Sequence, residues 1–252
     1  MTDLNGAAIV TGGSKGIGYA IAKRLNQQGL SVLICSRNGE ELDRAVNELD
    51  VTDRRVIGMV ADVGDAEVCE QLVQRCVDEF GRVDVLVNNA AVYLDCHFLD
   101  ITHAHWDQHL NVDLRGPALL SVAAARQMKD QGGGRIVHVS SDNALAAEPD
   151  FTAYNAAKAA LLGLTKSMAV DLARYNILTN CVLPGWTRTS LTEEYLATMT
   201  KETLEKVIPL ARAGEPEDIA EVVAFLCDPR VTYVLGQAIS VDGGLLVKQP
   251  TP

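Results

Sequence analysis

The chain has 252 residues, 48% hydrophobic and 22% charged, enough to bury a large core within one soluble domain. Its 22 basic and 33 acidic residues leave a net charge of −11, which argues against nucleic acid or anionic membrane as the main partner and leaves a single phosphorylated cofactor open. No apolar stretch approaches the roughly 20 residues of a membrane helix, and Met1-Thr2-Asp3-Leu4-Asn5-Gly6 runs straight into a strand without a signal peptide, so the expected compartment is the cytoplasm.

Short apolar runs alternate with longer helical patterns from end to end. Ala7-Ala8-Ile9-Val10 reads as a first strand, and Gly16 to Gly29 as a helix with Ile17, Ile21 and Leu25 on one face. Ser31 to Cys35 is a second strand, Glu40 to Leu49 a helix, and Arg55 to Val60 a third strand. Ala66 to Phe80 is helical and Val83 to Val87 is a fourth strand. A long helix is expected from Trp106 to Lys129, nicked at Gly116-Pro117. Arg135 to Val139 is a fifth strand after the Gly132-Gly133-Gly134 turn, Thr152 to Tyr175 a second long helix, and Ile177 to Val182 a sixth strand. Glu217 to Leu226 is a helix begun by Glu215-Pro216, and Ala238 to Val241 a last strand ending at Asp242-Gly243-Gly244. Continuous apolar strands alternating with helices predict an α/β fold: one Rossmann-type, doubly wound parallel sheet of about seven strands with helices on both faces. No linker, repeat or low-complexity segment divides residues 1–252.

Between the first strand and first helix stands Thr11-Gly12-Gly13-Ser14-Lys15-Gly16-Ile17-Gly18. Glycines there let the backbone turn tightly and approach a pyrophosphate, whose charge the amides and dipole of the helix N-terminus stabilise. Asp62-Val63 closes the third strand, and Asn88-Asn89-Ala90-Ala91 the fourth. Ligands of open parallel sheets sit outside the carboxyl ends of the strands, so these residues either contact a ligand or satisfy loop backbone groups.

Tyr154-Asn155-Ala156-Ala157-Lys158 opens a helix, and its i, i+4 spacing puts Tyr154 and Lys158 on one face. A free phenol titrates near ~10, and a neighbouring ammonium lowers that value, making Tyr154 a usable acid and base. Ser141, at the end of the fifth strand, is placed to hydrogen-bond a carbonyl oxygen as negative charge develops on it. In isolation, a tyrosine and a lysine four apart is mostly a chance surface pair.

The order of these pieces removes that alternative. Over essentially its full length the chain resembles a classical short-chain dehydrogenase/reductase: Thr11-Gly12, Gly16-Ile17-Gly18, Asn88-Asn89-Ala90, Asn111, Ser141, Tyr154, Lys158 and Pro184-Gly185 stand in that family's order and spacing. The resemblance implies a catalytic tetrad of Asn111, Ser141, Tyr154 and Lys158. Tyr154 would donate the proton, Ser141 orient the carbonyl, Lys158 also hold the nicotinamide ribose, and Asn111 help anchor a water leading from Lys158. Pro184 through Thr189, with Gly185 and Thr187 between them, would contact the nicotinamide carboxamide. Two departures stand out: Ala91 where the family has Gly, and Asp142-Asn143-Ala144 where it often has small residues. Asp142 and Asn143 read as a solvated turn or as substrate contacts.

The second strand ends Ile34-Cys35-Ser36-Arg37-Asn38. Ser36 stands where a carboxylate would bind the ribose 2′-hydroxyl of NAD, and Arg37 and Lys15 offer a fork and a point charge to a 2′-phosphate. The expected cofactor is NADPH/NADP+, as the family pattern also implies.

His103, His105 and His109 lie close together, and His105 and His109 have metal-chelating spacing, but the sequence offers no third ligand, so no metal is expected. The six cysteines, Cys35, Cys69, Cys76, Cys96, Cys181 and Cys227, form no C-x-x-C pair and read as reduced thiols. Trp186 reads as a wall of the substrate pocket, and Tyr93, Phe98, Leu145 and Tyr195 as further apolar lining. By resemblance, 190–213 is a flap over substrate. Small-residue patches at Ala123-Ala124-Ala125 and Ala156-Ala157 suit close helix packing, and the resemblance favours a homotetramer or dimer. These readings converge on an NADPH-dependent reductase converting the carbonyl of a small-molecule ketone or aldehyde to an alcohol. Reduction of a 3-oxoacyl group on acyl carrier protein ranks second, and a non-catalytic NADPH-sensing regulator third.

Overall fold

The computed structural model describes residues 6–50 and 55–248. The Met1–Asn5 lead into the first strand lies outside the described residues.

Seven strands, β1 (Gly6–Thr11), β2 (Leu30–Ser36), β3 (Val56–Val60), β4 (Val85–Asn88), β5 (Gly134–Val139), β6 (Ile177–Pro184) and β7 (Ala238–Val241), form one sheet in the order β3-β2-β1-β4-β5-β6-β7. Every pairing is parallel. The helices between them are α1 (Gly16–Gln27), α2 (Gly39–Leu49), α3 (Ala66–Phe80), α4 (His103–Leu110), α5 (Gly116–Asp130), α6 (Thr152–Leu172), α7 (Glu193–Ala197), α8 (Lys201–Val207) and α9 (Pro216–Cys227).

Alternation along the strands splits the core in two. Ala8 and Val10 of β1 face α1, α2 and α9 in one buried cluster, while Ala7 and Ile9 face α3 and α5 in the other. Local chemistry sets the helix starts: the Asn38 side chain caps α2 through Glu41 N–H, Asp65 caps α3 through Glu67 N–H, and Thr102 caps α4 through His105 N–H. Gly81, with φ of 79°, ends α3 in the left-handed conformation.

The long helix expected over 106–129 is interrupted, but not at Gly116-Pro117. A wide π turn at Asn111–Arg115 joins α4 to α5 and leads into Pro117 in the first turn of α5. Proline lacks the N–H that a regular helix would spend on a carbonyl one turn back, so the irregularity falls upstream of it. Gly116 is required there for another reason: a Cβ would lie 2.3 Å from the Val63 carbonyl oxygen. The second long helix ends in a 3-10 turn at Ala173–Tyr175, and the stretch 190–213 holds the two short helices α7 and α8.

The strand order reverses between β1 and β4, leaving a crevice at their carboxyl ends. All the chemistry-bearing motifs of the sequence end there or beside it.

Candidate active site

The glycine loop between β1 and α1 is shaped by two left-handed residues, Gly12 at φ 64° and Gly16 at φ 56°. Gly18 is needed for close approach: a Cβ would stand 2.2 Å from the Gly12 carbonyl oxygen. Asn89 pins this loop from β4. Its backbone N–H donates to Thr11 Oγ1 at 2.9 Å, and its Nδ2 donates to the Thr11 carbonyl at 2.9 Å. Asn88 turns the other way, donating from Nδ2 to Ser121 Oγ at 3.0 Å and meeting His138 Nδ1 at 3.2 Å. The asparagine pair therefore holds the loop and the β4–β5 seam together.

Among the described residues no side chain caps the start of α1, and its first turn carries no acidic residue. Those amides are thus left to an anion. Together with the glycine cradle, this fits a dinucleotide pyrophosphate. The cavity it opens into measures about 340 Å³. Its walls include every residue expected at the cofactor: Gly12, Ser14, Lys15, Gly16, Ile17 and Gly18 of the loop, Ser36 and Arg37 after β2, and Asp62 and Val63 after β3. Asn89 and Ala90 after β4, and Pro184, Gly185, Thr187 and Thr189 after β6, complete it. Ala91 also borders it, in a backbone conformation open to any residue, which accommodates its methyl group. Lys15 pairs with Glu41 at 3.3 Å on the exposed rim.

Ser141, Tyr154 and Lys158 meet at the far end of the same cavity. The Lys158 ammonium is 2% exposed, donates to the Val139 carbonyl at 3.2 Å, and lies 5.4 Å from the Tyr154 ring centre. Ser140 ties the helix to β5 by donating from Oγ to the Lys158 carbonyl at 2.8 Å. The expectation that the Tyr154 phenol is lowered is not met. Burial pushes it up, the Ser141 hydroxyl opposes that, and the carboxylates of Asp113, Asp142 and Glu148 add to the rise. Tyr154 is accordingly a protonated phenol, the form that gives a proton.

Asn111 is not brought to this cluster. It begins the π turn with its Cβ near Gly64 and does not line the cavity. Two residues on, Asp113 takes that place: fully buried, its Oδ1 accepts from Val92 N–H at 2.9 Å and stands 4.0 Å from Lys158 Nζ. Its Oδ2 pairs with His109 Nδ1 at 3.0 Å. His109 is fully buried, with its ring 6.2 Å from that of Tyr154. His105 packs on His109, yet among the described residues no group of three metal-binding side chains forms. The signal for Asp113 was available in the sequence as a carboxylate three residues before Gly116, but only the π turn shows which of Asn111 and Asp113 points inward.

Asp142 and Asn143 are not a solvated turn. The Ser141 hydroxyl donates to Asp142 Oδ1 at 2.9 Å, and Asn143 Nδ2 donates to Glu148 Oε2 and Asn155 Oδ1, both at 3.0 Å. Glu148 Oε2 also accepts from the Tyr93 hydroxyl at 2.7 Å. Glu148, unmarked by any sequence motif, thus enters the cavity wall with Tyr93, Asp142 and Asn143. Trp186 lines the cavity as expected and meets Tyr195 of α7 edge-on at 5.4 Å. Phe98, Leu145 and Tyr195 do not line it: all three end up exposed, Phe98 and Leu145 at short 3-10 turns and Tyr195 on α7.

All six cysteines are free thiols. Among the described residues no helix is long and apolar enough to cross a membrane.

A family profile described as enoyl-(acyl carrier protein) reductase matches residues 12–246. Dehydrogenase/reductase SDR family member 4 of Homo sapiens is 40% identical over 242 residues, covering 95% of this chain and 87% of that protein. The 3-oxoacyl-[acyl-carrier-protein] reductase FabG of Thermotoga maritima is 37% identical over 239 residues, covering 95% and 97%. Levodione reductase superposes with a TM-score of 0.91 at 30% identity over 97% of this chain and 99% of that one. A chain from Sinorhizobium meliloti 1021, assigned provisionally as a short-chain alcohol dehydrogenase, gives 0.92 at 34% identity over 96% and 97%.

Proposed function

The chain belongs to the classical short-chain dehydrogenase/reductase family of oxidoreductases, and we propose that it is an NADPH-dependent reductase of a ketone or aldehyde carbonyl. One observation carries the reading: a single cavity joins the glycine cradle and uncapped α1 N-terminus to the Ser141, Tyr154 and Lys158 cluster. The bound cofactor supplies the hydride. Tyr154 supplies the proton to the carbonyl oxygen from its phenol, and the Ser141 hydroxyl stabilises the charge developing there. Lys158, held by the Val139 carbonyl and facing Asp113, places a cation beside Tyr154 and would hold the ribose hydroxyls of the bound cofactor. Trp186 borders the cavity, and the segment 190–213, whose Tyr195 packs edge-on against Trp186, would close over the substrate.

For NADPH over NADH the support is the end of the cavity beside β2, where Ser36 replaces a carboxylate and Lys15 and Arg37 border the wall. A 2′-phosphate would draw Lys15 from Glu41. A homo-oligomer, dimer or tetramer, is supported by exposed apolar side chains on the long helices, Val122 on α5 and Val170 on α6. The charge balance and the reduced thiols suit a cytoplasmic setting.

Reduction of a 3-oxoacyl group on an acidic carrier protein is the second reading, favoured by the relative from Thermotoga maritima that carries that name. It ranks below because Asp142 and Glu148 line the substrate end, while Lys15 and Arg37 lie at the cofactor end and Lys158 is buried. Loss of NADPH absorbance over a panel of ketones, aldehydes and 3-oxoacyl thioesters, with NADH in parallel, tests the proposal. Turnover that Tyr154→Phe abolishes without loss of cofactor affinity supports it. Tight NADPH binding with no turnover by the wild type on any carbonyl points to a sensor instead.

A further inference from the structure

The Ser141 hydroxyl has one hydrogen to give, and the structure already directs it to a carboxylate. Ser141 Oγ donates to Asp142 Oδ1 at 2.9 Å, with a longer alternative to Asn143 Oδ1 at 3.4 Å. The Asn143 backbone N–H fixes this arrangement, reaching Ser141 Oγ at 3.2 Å and Asp142 Oδ1 at 3.0 Å. Asp142 is 7% exposed and borders the cavity. Among the described residues no donor reaches its Oδ2.

A carboxylate accepts only, and a bond to it is about twice as strong as a bond between neutral groups. An ionised Asp142 therefore outcompetes a neutral carbonyl oxygen for the Ser141 hydrogen. A protonated Asp142 is a donor itself and has far less hold on that hydrogen. We propose that Asp142 is a positioning residue acting through Ser141: as a carboxylate it withholds the serine hydrogen from the substrate oxygen, and on taking up a proton it releases that hydrogen to it. The proposal rests on the reductase reading above.

The charged and titratable groups around Asp142 come from several elements. Glu148, on the loop before α6, and Asp242, after β7, both disfavour its negative charge. Tyr93 and Tyr154 face it as neutral phenols whose own ionisation it opposes. Lys158 turns its ammonium to the Val139 carbonyl and Asp113. Burial is the largest influence and raises the Asp142 carboxyl to about 6, against the downward pull of the Ser141 and Asn143 bonds. The change of state thus falls within the pH range where the protein can be assayed, with the serine hydrogen released on the acid side.

Two measurements decide it. The first is the pH dependence of single-turnover ketone reduction with NADPH, in the wild type and in Asp142→Asn. The wild-type rate is expected to fall by about a hundredfold as pH rises through Asp142 titration, the size of losing one oxyanion donor. Asp142→Asn, which cannot titrate and can donate from its amide to Ser141, is expected to lose that fall and to outpace the wild type above it, with unchanged NADPH affinity. A wild-type fall that persists in Asp142→Asn, or an Asp142→Asn protein inactive at every pH with cofactor binding intact, overturns the proposal. The second needs no turnover: the carboxyl NMR titration of Asp142 in the wild type and in Ser141→Ala. Losing the serine donor is expected to raise the Asp142 midpoint by about half a pH unit or more, and an unmoved midpoint overturns the proposal. A wild type that reduces no carbonyl sinks the reductase reading instead, and is told apart by an Asp142 midpoint that still responds to Ser141→Ala.

Discussion

Asp113 Oδ1 stands 4.0 Å from Lys158 Nζ, and both side chains are shut away from solvent. Burial drives the Lys158 ammonium toward its neutral form, and Asp113 is the main charge opposing that. The same carboxylate accepts from Val92 N–H and pairs with His109, so its charge is shared across α4, the β4 loop and α6. Asp113→Asn keeps the shape and an acceptor for Val92 N–H but strands the lysine. Removing one partner of a buried ion pair costs about 3 kcal/mol or more, and urea unfolding near neutral pH is expected to show a loss of that size. Lys158→Met in the Asp113→Asn background should recover part of it. A single-variant change inside ~0.5 kcal/mol would mean that the pair adds no net stability.

His138 gives a pH prediction. Its ring is fully buried, meets Asn88 Nδ2 at 3.2 Å, and has no partner on Nε2 among the described residues. Burial first, and Lys158 second, push it down to about 4. Between pH 4 and the unfolded value of about 6.5 the unfolded chain binds the extra proton, so this contribution grows as pH rises and is lost as pH falls through that window. Asp142, raised to about 6, works the other way, because its folded form holds a proton that the unfolded one has released. The two nearly cancel in the wild-type profile. Comparison with His138→Gln exposes the histidine alone: the wild type should gain on the variant by about 3 kcal/mol from pH 4 to pH 7. A constant difference would mean His138 does not titrate in that window.

These two buried sites also mark where the sequence could and could not be read. Strand and helix periodicity is local, so all seven strands and the sheet class were legible from runs such as Val32-Leu33-Ile34-Cys35, and boundaries moved by a residue or two. That the glycine loop and the strand ends would line one cavity was legible for a similar reason, since each motif ends a strand and the ends of parallel strands share one edge. The choice between Asn111 and Asp113 was not, because a π turn adds a residue to the helical period and rotates every side chain beyond it. Nor was Glu148, which owes its place to Tyr93 and Asn143, 55 residues before it and five before it in the chain.

Two glycines in helices make opposite predictions. Alanine is the better helix former by about 1 kcal/mol, and Gly163 of α6 has nothing within 4 Å of a would-be Cβ. Gly163→Ala should therefore stabilise by about 0.5–1 kcal/mol. In Gly18→Ala the same gain is overwhelmed, because the new carbon would stand 2.2 Å from the Gly12 carbonyl and 2.5 Å from Asn89 Nδ2. Backbone and the pinned asparagine must both move, at an expected cost of about 2 kcal/mol or more. Cofactor affinity should fall with it. Calorimetry on both variants checks the contrast, and a stabilised Gly18→Ala would mean that the loop is not held as tightly as its geometry shows.

The proposed preference for NADPH is tested at the rim between β2 and α2. Arg37 and Lys15 border the cavity there, and Lys15 is balanced by Glu41 at 3.3 Å. A 2′-phosphate would meet a guanidinium fork and a point charge, whereas a bare 2′-hydroxyl has little use for either. Losing a charge-assisted bond costs about 1.5–3 kcal/mol, and Arg37→Glu adds repulsion, so NADPH affinity is expected to drop by about a hundredfold or more. NADH affinity should stay within a few-fold, and Ser36→Asp, which restores an acceptor for the ribose hydroxyl, should raise it. Glu41→Gln separates the two cations: with its counter-ion gone, Lys15 is free for the phosphate, and NADPH binding should tighten by a few-fold at low salt and less at high salt. Fluorescence titration of both cofactors over this set reads out the assignment. Equal losses for NADPH and NADH in Arg37→Glu would show that the arginine does not meet the 2′-phosphate, and would leave Ser36 and Lys15 to carry any preference that survives.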